Sequence, residues 1–165
     1  MKTICLYFEI HQIIHLKRYR FFDIGIDHYY YDDYENERSI TDIAERSYMP
    51  ALETLLGMIK QGNGYFKVAF SISGVGMEQL EMHAPQVIAK LQEINETGCA
   101  EFLAEPYSHG LSSLANEESF AADVKKQADK MQDYFGKRPT ILRNSSLIYS
   151  DDIGGQVAAM GFKGM

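Results

Sequence analysis

The sequence has no tryptophan, two cysteines, and 16 basic residues against 23 acidic ones. It also has no apolar run near the roughly 20 residues that a bilayer crossing needs. Each shortage excludes something. Cys5 and Cys99 are too few for a disulfide framework, so reduced thiols in a cytosolic protein are expected. The cation deficit leaves a net charge of −7 at pH 7. That argues against nucleic acid as a partner, because affinity for it rests on Lys and Arg neutralising phosphates. The start, Met-Lys-Thr-Ile-Cys-Leu-Tyr-Phe-Glu-Ile-His, carries a charge before any leader core, and no small-residue cleavage site follows. A cytoplasmic location and no membrane partner are therefore expected. Without tryptophan, the aromatic content rests on 11 Tyr and 9 Phe, which suits a carbohydrate- or small-molecule-binding surface.

What remains is ordinary globular material, 45% hydrophobic and 24% charged, over a length suited to one domain spanning 1–165. Strand and helix patterns alternate. Residues 2–10 are β-branched, aromatic and nearly continuous in apolar character, as a strand covered on both faces would be. Similar runs follow at 65–72, 99–103 and 140–143, and a fifth begins at Phe162. Between them, Leu52, Leu55, Leu56 and Ile59 share a helical face, with Pro50 in the first turn and Gly62 past the end. Pro85 opens a helix with Val87, Leu91 and Ile94 on one stripe, stopped by Gly98. Asn116 caps a helix running through Phe120, Val124, Ala128, Met131 and Phe135 to Gly136. A last helix, 151–160, has Ser150 as its cap and Asp151 and Asp152 in its first turn. This order predicts an α/β fold with a parallel sheet, since parallel strands need crossovers of that length. The stretch 11–40 reads as one long irregular loop. Its aromatic, acidic segment His28-Tyr-Tyr-Tyr-Asp-Asp-Tyr-Glu would either stack on sugars or pack over the mouth of the sheet.

In parallel α/β folds, ligands meet the loops beyond the C-terminal ends of the strands. That rule selects Glu9, His11, Gln12 and His15 after the first strand, and Ser71, Ser73 and Gly74 after the second. Glu105, Tyr107 and His109 follow the third, with Glu101 inside it, and Arg143, Asn144, Ser145 and Ser146 follow the fourth. Glu101 is either a rim residue or the ion-pair partner of Arg143. His11-Gln-Ile-Ile-His15 has the spacing of a helical zinc motif, but Gln12 stands where a general base is needed and the segment leaves a strand. A scattered site from His11, His109 and a carboxylate is the other metal reading; no metal and no cofactor are expected. Gly74-Val-Gly76 lacks the third glycine of a dinucleotide fingerprint. Asn144-Ser-Ser146 is a sequon without known secretion, and Ser146 lacks the glycine-flanked elbow of a hydrolase serine.

Three motifs in order then carry a family resemblance. A strand runs into His11-Gln12, similar to a family's His-Gln-Pro, with Ile13 in place of the proline. Gly98-Cys-Ala-Glu-Phe-Leu-Ala-Glu-Pro-Tyr-Ser-His109 is similar to its Gly-x-x-Glu segment and the loop beyond. Phe135-Gly-Lys-Arg-Pro-Thr-Ile-Leu-Arg-Asn-Ser-Ser-Leu-Ile-Tyr149 is similar to Phe-Gly-x-x-Pro followed by Arg-Asn-Thr-Glu-Leu-Ile-Tyr. The chain resembles the N-terminal part of a family 57 glycoside hydrolase of the α-amylase or 4-α-glucanotransferase type. The resemblance implies a parallel (β/α) barrel of the seven-stranded type, incomplete in this chain with about five strands. It further implies a retaining mechanism on α-glucans or maltooligosaccharides, and binding by His11, Gln12, Glu101, Glu105, Tyr107 and His109. The family's nucleophilic Glu corresponds to Ser146, and its acid/base Asp would lie beyond Met165, so this polypeptide is expected to be inactive. A noncatalytic glucan-binding module and, behind it, a metal-dependent carbohydrate deacetylase are the alternatives. An incomplete barrel leaves sheet edges open, so self-association is expected.

Overall fold

The computed structural model describes residues 4–26 and 29–165. Strand β1 (Tyr7–Ile10) leads through a long loop to helix α1 (Asp33–Ile43), which continues through a π turn (Ala44–Tyr48) into α2 (Met49–Gln61). Then follow β2 (Val68–Ile72), α3 (Gly74–His83), α4 (Pro85–Glu96) and β3 (Ala100–Leu103). A short α5 (Ser112–Ala115), the long α6 (Glu117–Phe135) and α7 (Asp151–Ala159) complete the order.

The sheet is parallel, in the order β1-β2-β3. The expected fourth and fifth strands are single parallel bridges, Ala104 to Leu142 and Ile141 to Gly164. They extend the row in chain order without forming strands, so the architecture is a mixed α/β fold on a three-stranded sheet rather than five strands. β1 is shorter than the expected 2–10, whose first residues lie partly outside the described ones. It is also an edge, with Leu6 and Tyr7 exposed, and is not covered on both faces.

Register fixes which side chains meet. Phe8, Phe70 and Phe102 are in register across the three strands, and α6 adds Phe135, stacked on Phe102 with centroids 3.6 Å apart. Leu52, Leu56 and Ile59 of α2 and Val87, Leu91 and Ile94 of α4 join the same core. Phe120, Val124 and Ala128 of α6 pack with Leu142, Ile153 and Val157 in a second cluster. Both caps read from the sequence are present: Asn116 accepts from the Ser119 N–H, and Gly136 takes the left-handed conformation (φ +74°) that ends α6. Ser150 likewise caps α7.

Two helices depart from the sequence expectation. α1 begins at Asp33 inside the stretch read as irregular, capped by the Asp32 carboxylate accepting from the Glu35 N–H. Only Asn36 and Ile40 of α1 are buried, so it carries little apolar periodicity. α3 opens on the glycine pair, and its glycines are packing residues. A Cβ on Gly74 would stand 2.2 Å from the Tyr107 ring, and one on Gly76 would stand 3.2 Å from the Ile10 carbonyl. In the aromatic segment, His28 lies outside the described residues, while Tyr29, Tyr30 and Tyr31 are each near half exposed.

Candidate functional site

The face of the sheet opposite the phenylalanines carries Glu9 and Ser71 in register, and the loops beyond β2 and β3 add Ser73, Glu105 and His109. Arg143, just past the Leu142 bridge, reaches across to Glu9 with two hydrogen bonds, Nη1 to Oε1 at 3.0 Å and Nη2 to Oε2 at 2.7 Å. That fork geometry is the strong form of an Arg–carboxylate contact. His109 Nε2 lies 3.2 Å from Glu9 Oε1, and the Nδ1 of that ring lies 3.4 Å from Glu105 Oε1. Glu105 is fully buried; Ser71 donates to its Oε2, and Arg143 Nη1 lies 4.0 Å away.

His11 stacks on His109 with ring centroids 4.3 Å apart, and its Nδ1 pairs with Ser73 Oγ at 2.7 Å. Ser73 at the same time caps α3, accepting from the Gly76 N–H at 2.9 Å. One hydroxyl therefore ties the first rim residue to the start of a helix. Burial, more than the neighbouring His109, holds the His11 imidazole below its ordinary value of 6.5, so it is neutral at pH 7. Burial likewise pushes the Glu105 carboxyl above its ordinary value, outweighing the opposite pull of Ser71, His109 and Arg143.

The structure thus gathers His11, Glu105 and His109 from the expected set and makes Glu9 and Arg143 their partners. Gln12 lies beside them, with its side-chain amide 3.4 Å from the Tyr48 hydroxyl and its carbonyl accepting from Gln79. Two other expected residues do not join. Glu101 shares the face of Glu9 and Ser71 but stands four residues before Glu105, about 13 Å down the strand. It lines a cleft of about 650 Å³ at the N-terminal ends of the strands, with Lys67 and Arg138. It is not the partner of Arg143, whose carboxylates are Glu9 and Glu105. Tyr107 turns away from the mouth: it is buried, donates its hydroxyl to Glu78, and lies beneath the Lys126 ammonium at 3.6 Å.

Ser146 is exposed in a 3₁₀ turn (Ser145–Leu147) and is held at φ +54°, as is Leu147. Two successive L-residues in the left-handed region need outside support. Asn144 supplies it, its amide donating to Ser113 Oγ and the Ile148 carbonyl, each at 2.9 Å. His15 forms no metal-type cluster with His11 among the described residues, and its backbone N–H and carbonyl pair with the Asn36 side chain. Among the described residues, no three His, Cys, Asp or Glu side chains converge on a metal position. No described helix is long and apolar enough to cross a membrane.

Gln127 is not among the residues that the sequence motifs single out. Fully buried on α6, it donates to the Ile72 carbonyl at 2.7 Å and accepts from the Glu105 N–H at 3.2 Å, fixing the backbone under the buried carboxylate. The available signal was a polar residue on the Phe120–Val124–Met131 stripe.

Comparison with known proteins finds relatives in sequence and in fold. A relative named "Putative alpha-amylase" from Methanocaldococcus jannaschii is 32% identical over 135 residues, covering 81% of this chain and 28% of the relative. The solved 4-alpha-glucanotransferase from Thermococcus litoralis superposes with a TM-score of 0.67 at 16% identity, over 76% of this chain and 19% of that one. A peptidoglycan deacetylase from Bacillus subtilis shares the fold more distantly, with a TM-score of 0.52 at 16% identity, covering 70% of this chain and 51% of its own. The chain thus spans under a third of the length of the amylase relative. The profile of Glycosyl hydrolase family 57 matches residues 5–165, nearly the whole sequence. The chain belongs to glycosyl hydrolase family 57.

Proposed function

We propose that residues 1–165 form one domain, the N-terminal arc of a seven-stranded (β/α) barrel that handles α-glucans, and that this polypeptide alone binds glucan without cleaving it. The observation that carries the reading is the family match running through Arg143-Asn144-Ser145-Ser146-Leu147, joined to a rim where His11, Glu105 and His109 meet Glu9 and Arg143. Retaining glycoside hydrolysis needs two carboxyl groups about 5–5.5 Å apart, one attacking and one protonating the leaving oxygen. A serine at the nucleophile position has no charge to stabilise an oxocarbenium-like transition state, and its ether adduct would leave poorly.

The carboxylates of the rim do not replace it. Glu105 is shut from solvent and bonded to Ser71, and both oxygens of Glu9 are held by Arg143. Neither is free to attack carbon or shuttle a proton. What the cluster offers is paired donors and acceptors at one mouth, the chemistry that sugar hydroxyls require. His11, Gln12 and His109 provide the adjustable contacts, with the ion pair as their fixed backing.

Calorimetry with maltoheptaose tests the binding half. Weak binding, diminished by His109→Ala, is expected, and no heat from a folded chain would remove the reading. Release of reducing ends tests the other half: neither the wild-type chain nor Ser146→Glu within these 165 residues should produce them. Turnover by the unmodified chain would place the nucleophile elsewhere.

A further inference from the structure

We propose that Gln79 is a positioning residue of the rim: from inside α3 it fixes the backbone on which His11 and Gln12 stand. The inference rests on reading the rim as the glucan site, and adds to it a buried residue behind the surface that sugar would meet. β1 ends at Ile10, and residues 11–15 belong to no helix or strand. The carbonyls of Gln12 and Ile13 therefore have no ladder partner, and need a donor from elsewhere. Gln79 supplies it. Its Nε2 donates to the Gln12 carbonyl at 2.8 Å and to the Ile13 carbonyl at 3.3 Å. A carboxamide nitrogen carries two hydrogens, one for each acceptor. Two neighbouring carbonyls also fix which way the amide faces, since they would repel its oxygen.

What the residue gives up points the same way. Gln79 is 2% exposed, and its Oε1 has no hydrogen-bond partner among the described residues. A buried acceptor left unpaired costs stability, and an apolar side chain of similar length would fill the same space without that cost. Packing alone therefore does not account for an amide at this place on α3. The two carbonyls do.

The start of α3 touches the same segment at two further points. Ser73 Oγ pairs with His11 Nδ1 at 2.7 Å. Gly76 lies against the Ile10 carbonyl and the His11 Cα, which a Cβ would meet at 3.2 and 3.5 Å. Ser73, Gly76 and Gln79 are spaced by three, the spacing of one ridge along a helix. That ridge holds four successive residues, Ile10 to Ile13. The side chains they carry meet the rest of the rim: His11 stacks on His109, and the Gln12 amide lies 3.4 Å from the Tyr48 hydroxyl. A shift of the backbone at 12–13 would move both side chains together. Holding the two in place before sugar arrives removes the cost of ordering them on binding, which together is worth on the order of tenfold in affinity.

Gln79→Met, which keeps the length of the side chain and removes both hydrogens, tests the inference in the whole chain. Calorimetry with maltoheptaose should show the affinity falling about tenfold, and the NMR signals of the His11 imidazole should move. Val124→Ala, destabilised through the second core cluster, should lower Tm and change neither. Unmoved His11 signals or an unchanged affinity in Gln79→Met overturns the inference and leaves Gln79 as packing, whatever its Tm. Changes of the same size in Val124→Ala overturn it too, since they assign the effect to general loosening. If the wild-type chain takes up no maltoheptaose, the glucan reading falls, and the His11 signals alone decide the positioning. The unmodified chain supplies a measurement that does not depend on a variant's folding. Both Gln79 carboxamide hydrogens should exchange slowly with solvent, and fast exchange overturns the inference.

Discussion

Replacing Arg143 with methionine probes the electrostatics of the site, where one guanidinium pairs with Glu9 and lies 4.0 Å from Glu105. Methionine keeps much of the stem's volume and removes the charge. Two terms are lost. The forked contact to Glu9 is partly solvated, since the Glu9 side chain keeps 33% of its surface open, so it contributes about 1 kcal/mol. The contact to Glu105 spans 4.0 Å to a fully buried carboxyl. At an effective dielectric constant near 20, two unit charges at that distance attract by about 4 kcal/mol, and relief of the guanidinium's desolvation returns part of it. The expected net loss is about 2–4 kcal/mol at pH 8, or roughly 5–15 °C in Tm for a domain of this length. The sign with pH follows from Glu105. Its folded value already lies above the ordinary one, so the native state holds a proton that the unfolded state releases, and stability falls as pH rises through that window. Removing Arg143 raises the folded value further and widens the window. Below the ordinary carboxyl range both states are protonated, and the defect should shrink to less than half. Urea denaturation of wild type and Arg143→Met at pH 4 and pH 8 measures this. A loss that is equal at the two pH values, or under about 0.5 kcal/mol at pH 8, would refute the electrostatic account and leave Arg143 as packing.

Other perturbations test neighbouring steps. Gln127→Leu should cost about 3 kcal/mol in urea denaturation, because the Ile72 carbonyl and the Glu105 N–H lose their buried partner. Gly74→Ala should cost about 1–3 kcal/mol or more by thermal melting, since its Cβ meets the Tyr107 ring at 2.2 Å. Combining it with Tyr107→Leu should recover part of the loss. Ser73→Ala removes both the cap of α3 and the partner of His11, and should cost about 1–2 kcal/mol. His11, whose folded value lies below 6.5, contributes stability that is present above pH 6.5 and lost as pH falls through its folded value. In His11→Asn that part of the pH dependence should vanish. Because β1 is an uncovered edge, light scattering should report association that increases with concentration; a compact monomer at every concentration would count against open edges.

The sequence pattern was most legible where a local rule acts alone. Asn116, Gly136, Ser150 and Pro85 mark helix ends by chemistry within one turn, and they stand where caps and first-turn residues should. Period alone failed where tertiary contact replaces it. α3 is buried on several sides, so its apolar residues trace no stripe, and its opening glycines are explained largely by Tyr107 and Ile10, which are distant in sequence, with the Ser73 hydroxyl also against Gly76. α1 errs the other way: nearly all of it faces solvent, leaving two buried positions to mark a face. At 140–143 and 162–164 the composition suits strands, but strand pairing is a property of two neighbours, and single bridges are what form there.

The candidate site divides along the same line. The rule that chemistry gathers beyond the C-terminal ends of parallel strands selected Glu9, His11, Ser71, Ser73, Glu105, His109 and Arg143, and these are the residues that touch one another. The rule says nothing of direction, and direction separates Glu105 from Glu101 and Tyr107. A strand advances about 3.3 Å per residue, so four positions carry Glu101 to the opposite mouth although both glutamates fall in the same motif. Tyr107 follows Pro106 into the turn and faces α3 because glycine at 74 leaves room for its ring. The pairing of Arg143 with Glu9 is the least local feature of all, joining residues 134 positions apart. It spans the row from β1 to the segment bridged at Leu142 beyond β3, an arrangement that no local segment of the sequence contains.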